Sequence, residues 1–158
     1  MAKEAKTNAM RMLDRQKVKY EAFTYECDEF IDGLHSADLI GAPYDQSFKT
    51  LVMEGKSGGC YVFAVPIEKE VDRKAKAVGE KTVDMIHVKD ILKITGYVRG
   101  GCSPLGMKKL YPTVFDASAE NFDEIYVSGG RIGLTLKVKL ESLLKVTNGK
   151  LADITMKD

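Results

Sequence analysis

Apolar runs paired across glycine-rich turns, and the lack of strict strand–helix–strand alternation, predict an α+β domain. In this reading a mixed or antiparallel sheet carries helices on its outside, and a doubly wound nucleotide-binding fold is disfavoured. Two hairpins carry most of the prediction. Residues 48–54 and 60–65 are apolar runs separated by Gly-Lys-Ser-Gly-Gly at 55–59, and residues 124–128 and 134–140 flank Gly-Gly-Arg-Ile-Gly at 129–133. Glycines supply the positive φ such turns need. At 158 residues the chain has the size of a single domain, 1–158.

The remaining elements follow in order. Ala5, Ala9, Met12 and Leu13 repeat at helical spacing, which predicts an amphipathic helix over 5–16. Tyr20, Phe23 and Tyr25 favour extended backbone, so 19–26 reads as a strand. Asp32 caps a short helix through Leu34, Leu39 and Ile40 that stops at 41–43. Beyond Pro66, residues 68–78 read as a helix with Gly79 just past its end. A short strand over 82–87 and a helical turn or two over 89–94 follow, the latter ended by Thr95 and Gly96. Residues 97–112, rich in glycine and proline, read as a long ordered loop. A strand over 113–115, a helix near 141–146 and a strand around 151–155 complete the chain.

Composition narrows the function. Twenty-four basic against 23 acidic side chains leave a formal charge of +1, so no single sign coats the surface, though a local basic patch remains open. No window of 18 apolar residues spans a membrane, and residues 1–6 lack the apolar stretch of a secretory signal. The three cysteines, Cys27, Cys60 and Cys102, stand far apart. Together these favour a cytoplasmic, reducing compartment. With His35 and His87 the only histidines, no metal-ligand spacing appears, and no metal or cofactor is expected.

The loop from Arg99 to Lys109 is the most informative segment. Gly100 and Gly101 let backbone approach a ligand, and successive amides in such a turn can face an anion. Residues 88–112 hold five basic side chains and one acid; residues 128–150 repeat that balance, whereas 113–127 hold four acids and no base. Such segregation fits an RNA end or another polyphosphate better than a neutral metabolite. A glycine turn flanked by solvated lysines explains the first loop equally simply. In the second, a hairpin explains Gly129 and Gly130 and accounts less well for Ser128 and Arg131, neither of which compels a function. Lys49 opens an apolar run, as an edge charge or as a phosphate contact. Tyr25 and Phe30 flank an acidic turn, where they stack on a base or fill the sheet face.

As a set, Phe-Lys-Thr-Leu-Val at 48–52, Thr-Gly-Tyr-Val-Arg-Gly-Gly-Cys-Ser-Pro-Leu-Gly at 95–106 and Tyr-Val-Ser-Gly-Gly at 126–130 resemble the bacterial YbaK-type aminoacyl-tRNA deacylases. These are free-standing relatives of the editing domain inserted in bacterial prolyl-tRNA synthetases. The likeness runs from about Thr7 to Ile154. It implies a mixed, barrel-like sheet flanked by helices that binds the aminoacylated 3′ end of tRNA. It further implies removal of cysteine from mischarged tRNA for proline, with prolyl-tRNA synthetase as a partner in some members. Lys49 matches a pocket lysine needed for activity; Tyr25, Phe30, Thr50, Gly100, Ser128 and Gly130 fall on pocket positions. Gly101, Gly129 and Arg131 complete the expected substrate contacts. The family mechanism is substrate-assisted: the cysteine thiol attacks its own ester, so no protein nucleophile is required.

Two departures stand in the second hairpin, where the family often has a basic residue at the position of Ile132 and an acidic one at Thr135. Cys102 occupies a commonly aliphatic position. These leave open a deacylase for another small aminoacyl group, such as alanine, and a module that binds tRNA ends or a synthetase without catalysis.

Overall fold

In the computed structural model, which describes residues 6–25, 33–72, 76–99 and 101–156, the first helix α1 spans Asn8–Arg15. It starts later than the spacing predicts because Thr7 caps it, its hydroxyl accepting from the Met10 amide at 3.2 Å. Ala9 and Leu13 are its buried positions. The chain turns out through Lys17, at φ 58°, into strand β1, Tyr20–Thr24. Helix α2 covers Gly33–Ile40 and ends at Gly41, φ 71°, where the Ala42 amide reaches back to the Ala37 carbonyl. The proposed cap, Asp32, lies outside the described residues.

Both hairpins form. Strands β2 (Phe48–Gly55) and β3 (Cys60–Pro66) pair antiparallel from Phe48 opposite Pro66 to Glu54 opposite Cys60. Gly58, at φ 91°, makes the turn. β4 (Val83–Met85) adds to the outer edge of β2. β5 (Thr113–Asp116) lies parallel to β3. β6 (Glu124–Ser128) and β7 (Leu134–Lys139) make the second hairpin, and β1 pairs with β7. After α4 (Leu140–Thr147), β8 (Lys150–Ala152) runs parallel to β5.

The strands therefore divide into two sheets, β1-β7-β6 and β4-β2-β3-β5-β8, joined by a parallel bridge between Ser47 and Tyr126. The mixed α+β class stands, but among the described residues the strand pairing does not run round into a closed barrel. Apolar cores lie on both faces of the larger sheet. Ala64 and Phe115 face a core shared with α1, α4 and the smaller sheet, while their neighbours Phe63, Val65 and Val114 face a second core with Met53, Val71, Val83 and Ile154. Burial on both faces explains why β3 reads as a continuous apolar run rather than an alternation.

One expected element does not form among the described residues. Within 68–78, only Lys76–Val78 is helical, as a single 3-10 turn, and 73–75 are outside the described residues. Val71 instead forms an antiparallel bridge with Thr155. The Asp72 amide donates to the Ile154 carbonyl at 2.7 Å and the Met156 amide to the Glu70 carbonyl at 2.8 Å. Long-range pairing with the chain end claims the backbone groups a helix would have used. It also divides the expected final strand, whose first half pairs with β5 and whose second half meets Val71.

The described residues of 97–112, all but Gly100, form a loop without regular elements, as expected. A 3-10 turn, Val88–Asp90, and α3, Ile91–Thr95, lead into it through Gly96 at φ 86°. The Tyr97 hydroxyl donates to the Leu105 carbonyl at 2.5 Å, and the Lys108 amide donates to the Thr95 carbonyl at 3.1 Å. Gly106, at φ 71°, sits so close to α1 that a Cβ would stand 2.6 Å from the Asn8 carbonyl carbon. The two ends of the loop are thus held against α3 and α1.

Candidate active site

The first residues of β2 and the junction between the two sheets enclose a cavity of about 560 Å³. Phe48 to Val52 form one wall; Tyr126 to Ser128 at the end of β6, with Leu134 and Thr135 at the start of β7, form another. Tyr25, just past β1, closes that side. Ser36, Ala37 and Ile40 of α2, Met85, Ile86, Val88 and Ile91 before and within α3, and Arg99 and Cys102 of the long loop complete it. The volume suits a small ligand group between apolar walls.

Of the site residues expected from sequence, Tyr25, Lys49, Thr50 and Ser128 line this cavity together. Lys49 is half-buried at its wall. The Thr50 hydroxyl is buried and has no hydrogen-bond partner among the described residues. A buried hydroxyl without a partner is costly, so a ligand atom that completes it is favoured. The Tyr25 hydroxyl lies 3.4 Å from the Thr135 hydroxyl, a polar contact at that wall.

Gly101, Gly129, Gly130 and Arg131 are not among the lining residues. Close packing constrains their glycines. A Cβ at Gly101 would stand 2.8 Å from the Arg131 Cα, and one at Gly129 would meet the Leu134 side chain at 2.5 Å. Gly130 has φ 103° and abuts Tyr97 and Thr7. The second glycine turn is thereby locked against the long loop and the start of α1; the Thr7 hydroxyl also donates to the Gly129 carbonyl at 2.5 Å. The Gly130 amide donates to the Ser128 hydroxyl at 3.4 Å. Phe30 and Gly100 lie outside the described residues.

Arg99 and Cys102 line the cavity without having been expected to contact substrate. Their place in the basic glycine loop was the signal available for Arg99. Burial pushes the Cys102 thiol up to about 11, against a smaller opposing effect of the Thr95 hydroxyl. A thiol raised in this way holds its proton near pH 7, which disfavours it as a nucleophile. His87 is exposed and does not line the cavity. Among the described residues no three His, Cys, Asp or Glu side chains gather in metal-binding geometry.

Electrostatically, the described lining residues include two cations, Lys49 and Arg99, and no carboxylate. Hydroxyls from Tyr25, Ser36, Thr50, Ser128 and Thr135 are interspersed. Such a wall attracts an anionic or ester-bearing group and stabilises negative charge that develops on it. No imidazole sits beside a hydroxyl or thiol to activate it among those residues, so the arrangement lacks a nucleophile–base pair.

The sequence profile of the aminoacyl-tRNA editing domain matches residues 35–146, which contain every described wall of this cavity except Tyr25. A protein of Enterococcus faecalis named as a Cys-tRNA(Pro)/Cys-tRNA(Cys) deacylase, EbsC, is 41% identical over 158 residues, covering 98% of this chain and 96% of that one. A solved structure described as a trans-editing enzyme for prolyl-tRNA synthetase superposes with a TM-score of 0.81 at 22% identity, over 98% of this chain and 100% of that chain. The structure of a hypothetical protein gives 0.84 at 20% identity, over 94% of this chain and 99% of that chain. At those identities the two structures establish a shared fold. The matched profile covers most of the chain and the Enterococcus relative nearly all of it: this protein belongs to the aminoacyl-tRNA editing domain family.

Proposed function

We propose that the protein is a trans-editing deacylase that removes cysteine from Cys-tRNA(Pro), with Cys-tRNA(Cys) as a further substrate. The carrying observation is a cavity that gathers Lys49, the unpartnered Thr50 hydroxyl and Arg99 yet offers no activated nucleophile among its described residues. A substrate that brings its own nucleophile resolves that combination. The cysteine thiol of the ester attacks its own carbonyl carbon; a carbon–sulfur bond forms and the carbon–oxygen bond to the terminal ribose breaks. The thiol proton leaves for the departing ribose oxygen, and cysteine departs as a thiolactone that water then opens.

In this reading Lys49 faces the developing negative charge, and Thr50 and Ser128 orient the ester. Tyr25 packs against the terminal nucleotide. Phe30 and Gly100 keep the substrate-contact roles that the family resemblance implies. Gly101, packed against Arg131, and Gly129 and Gly130, adjoining Ser128, shape the backbone around the ester. The aminoacylated 3′ end of tRNA is the direct partner, and prolyl-tRNA synthetase supplies tRNA selection that a nearly neutral protein lacks; retention on immobilised synthetase at low salt tests this. A cytoplasmic location accords with that work.

Thr135 favours a second reading, cleavage of another small aminoacyl group, because a hydroxyl replaces the family's usual carboxylate beside Tyr25. Release of amino acid from Cys-tRNA(Pro), Ser-tRNA(Pro) and Ala-tRNA(Pro) separates the readings. Loss of cysteine with serine retained supports thiol attack, since a hydroxyl is a far weaker nucleophile. Equal loss of cysteine and serine requires an activated water, preferential loss of alanine selects the second reading, and retention of all three leaves a binding module.

A further inference from the structure

A second cavity, of about 550 Å³, shares the long loop with the first: Arg99 and Cys102 line one, Pro104 and residues 109–111 the other. Arg11 and Arg15, one turn apart on α1, and Lys109 on the loop supply three cations to it. Its acid, Asp14, is engaged by Lys6 at 2.5 Å, which leaves the three cations in excess. Leu110, 65% exposed, and the half-buried Tyr111 add apolar surface between them.

The helix that bears the arginines is anchored. Ala9 and Leu13 bury its other face, and Gly106 holds the loop against its first residue. Arg11 is oriented by a 3.0 Å hydrogen bond to the Asn8 side chain. Tyr111 is fixed through its hydroxyl, which donates to the Ile94 carbonyl at 2.8 Å. Cations on a solvated helix face need no ligand. Here, however, cations from two separate elements border one concave surface with an exposed leucine and a tyrosine in it.

We propose that this groove is a second RNA-binding site, which holds sugar-phosphate backbone of the tRNA away from the ester. The proposal rests on the tRNA-deacylase reading for the identity of the RNA. Guanidinium groups pair bidentately with phosphate, and a leucine–tyrosine surface accepts a ribose or base. With a net charge of +1, overall attraction is weak, so RNA affinity has to come from a local cluster of this kind. An acidic protein segment would use the same charges but has less use for the exposed ring and leucine.

The test combines Arg11→Gln, Arg15→Gln and Lys109→Gln and measures two quantities: binding of uncharged tRNA across a salt series, and cleavage of cysteinyl-adenosine, which carries the ester but none of the tRNA's phosphate backbone. The triple variant is expected to bind tRNA roughly tenfold more weakly or worse at 0.1 M salt, with the log–log salt slope reduced by about two. Its cleavage of the short ester is expected to stay at the wild-type rate. Lys109→Gln alone, outside the helix, is expected to lower the slope by about one-third of the triple effect, at unchanged melting temperature. Unaltered tRNA affinity and slope overturn the proposal. So does loss of synthetase binding with tRNA binding intact, which assigns the groove to a protein. Wild-type protein that binds tRNA but cleaves no cysteinyl ester refutes the deacylase reading alone, and the binding comparison still decides the groove.

Discussion

Replacing Thr50 with valine separates what the cavity costs from what it does. The Thr50 hydroxyl is buried with no partner among the described residues, so in the free protein it contributes a desolvation penalty and no bond. Leaving such a group unsatisfied costs about 1–3 kcal/mol, and valine keeps the branched shape while removing the hydroxyl. Thr50→Val is therefore expected to stabilise the free protein by roughly 1–2 kcal/mol, read as a rise of about 2–4 °C in melting temperature per kcal/mol for a chain of this size. Deacylation is expected to fall about tenfold or more, because a hydrogen bond to the ester group is lost where water cannot replace it. Thr50→Ser, which retains the hydroxyl, restores most of the rate. The assay pairs thermal unfolding with single-turnover release of cysteine from charged tRNA. A valine variant that melts lower than wild type, or one that deacylates at the wild-type rate, would refute the assignment of this hydroxyl to substrate.

Three further outcomes follow from the same geometry. Lys49→Ala is expected to lower single-turnover deacylation by about 100-fold, with Lys49→Arg intermediate, since it removes a cation facing developing charge. Gly106→Ala combines a φ of 71° with a Cβ 2.6 Å from the Asn8 backbone, whereas Gly41→Ala has the same φ and nothing within 4 Å. Denaturant unfolding should show a loss of about 1–2 kcal/mol for Gly41→Ala and clearly more for Gly106→Ala, roughly 2–5 kcal/mol. The Cys102 thiol, pushed up by burial to about 11 from 9.0, holds its proton in the folded state after the unfolded chain has lost it. Its stabilising contribution is therefore complete below pH 9 and lost as pH rises towards 11. In that window the stability of wild type should fall more steeply than that of Cys102→Ala, by at most about 1.4 kcal/mol per pH unit; equal slopes would contradict the shift.

Local chemistry made the hairpins, α4 and the ordered loop readable. Gly58 and Gly96 adopt the positive φ that their turns require, and apolar runs on either side carry enough pattern to pair. The failed helix at 68–78 shows the opposite case. Its spacing suits a helix, but Val71 belongs to a bridge with Thr155, 84 positions away, and no local pattern records that partner. The glycines of the two motifs were legible as close approaches, yet not as to what. Gly101 and Gly129 pack against Arg131 and Leu134, neighbours that only the tertiary fold supplies.

The α+β class, the family and the candidates Lys49, Thr50 and Ser128 were legible along the chain, because they reside in short contiguous motifs and in period-two patterning. Tertiary structure alone decided the division into two sheets, the entry of Arg99 into the cavity and the meeting of Tyr25 with Thr135 across 110 positions. It likewise brought Arg11 and Arg15 beside Lys109. Motifs are written along the chain, where residues constrain their neighbours through φ, ψ and periodicity. Cavities arise where distant segments bury one another's apolar faces, and that choice belongs to the packing of the whole core.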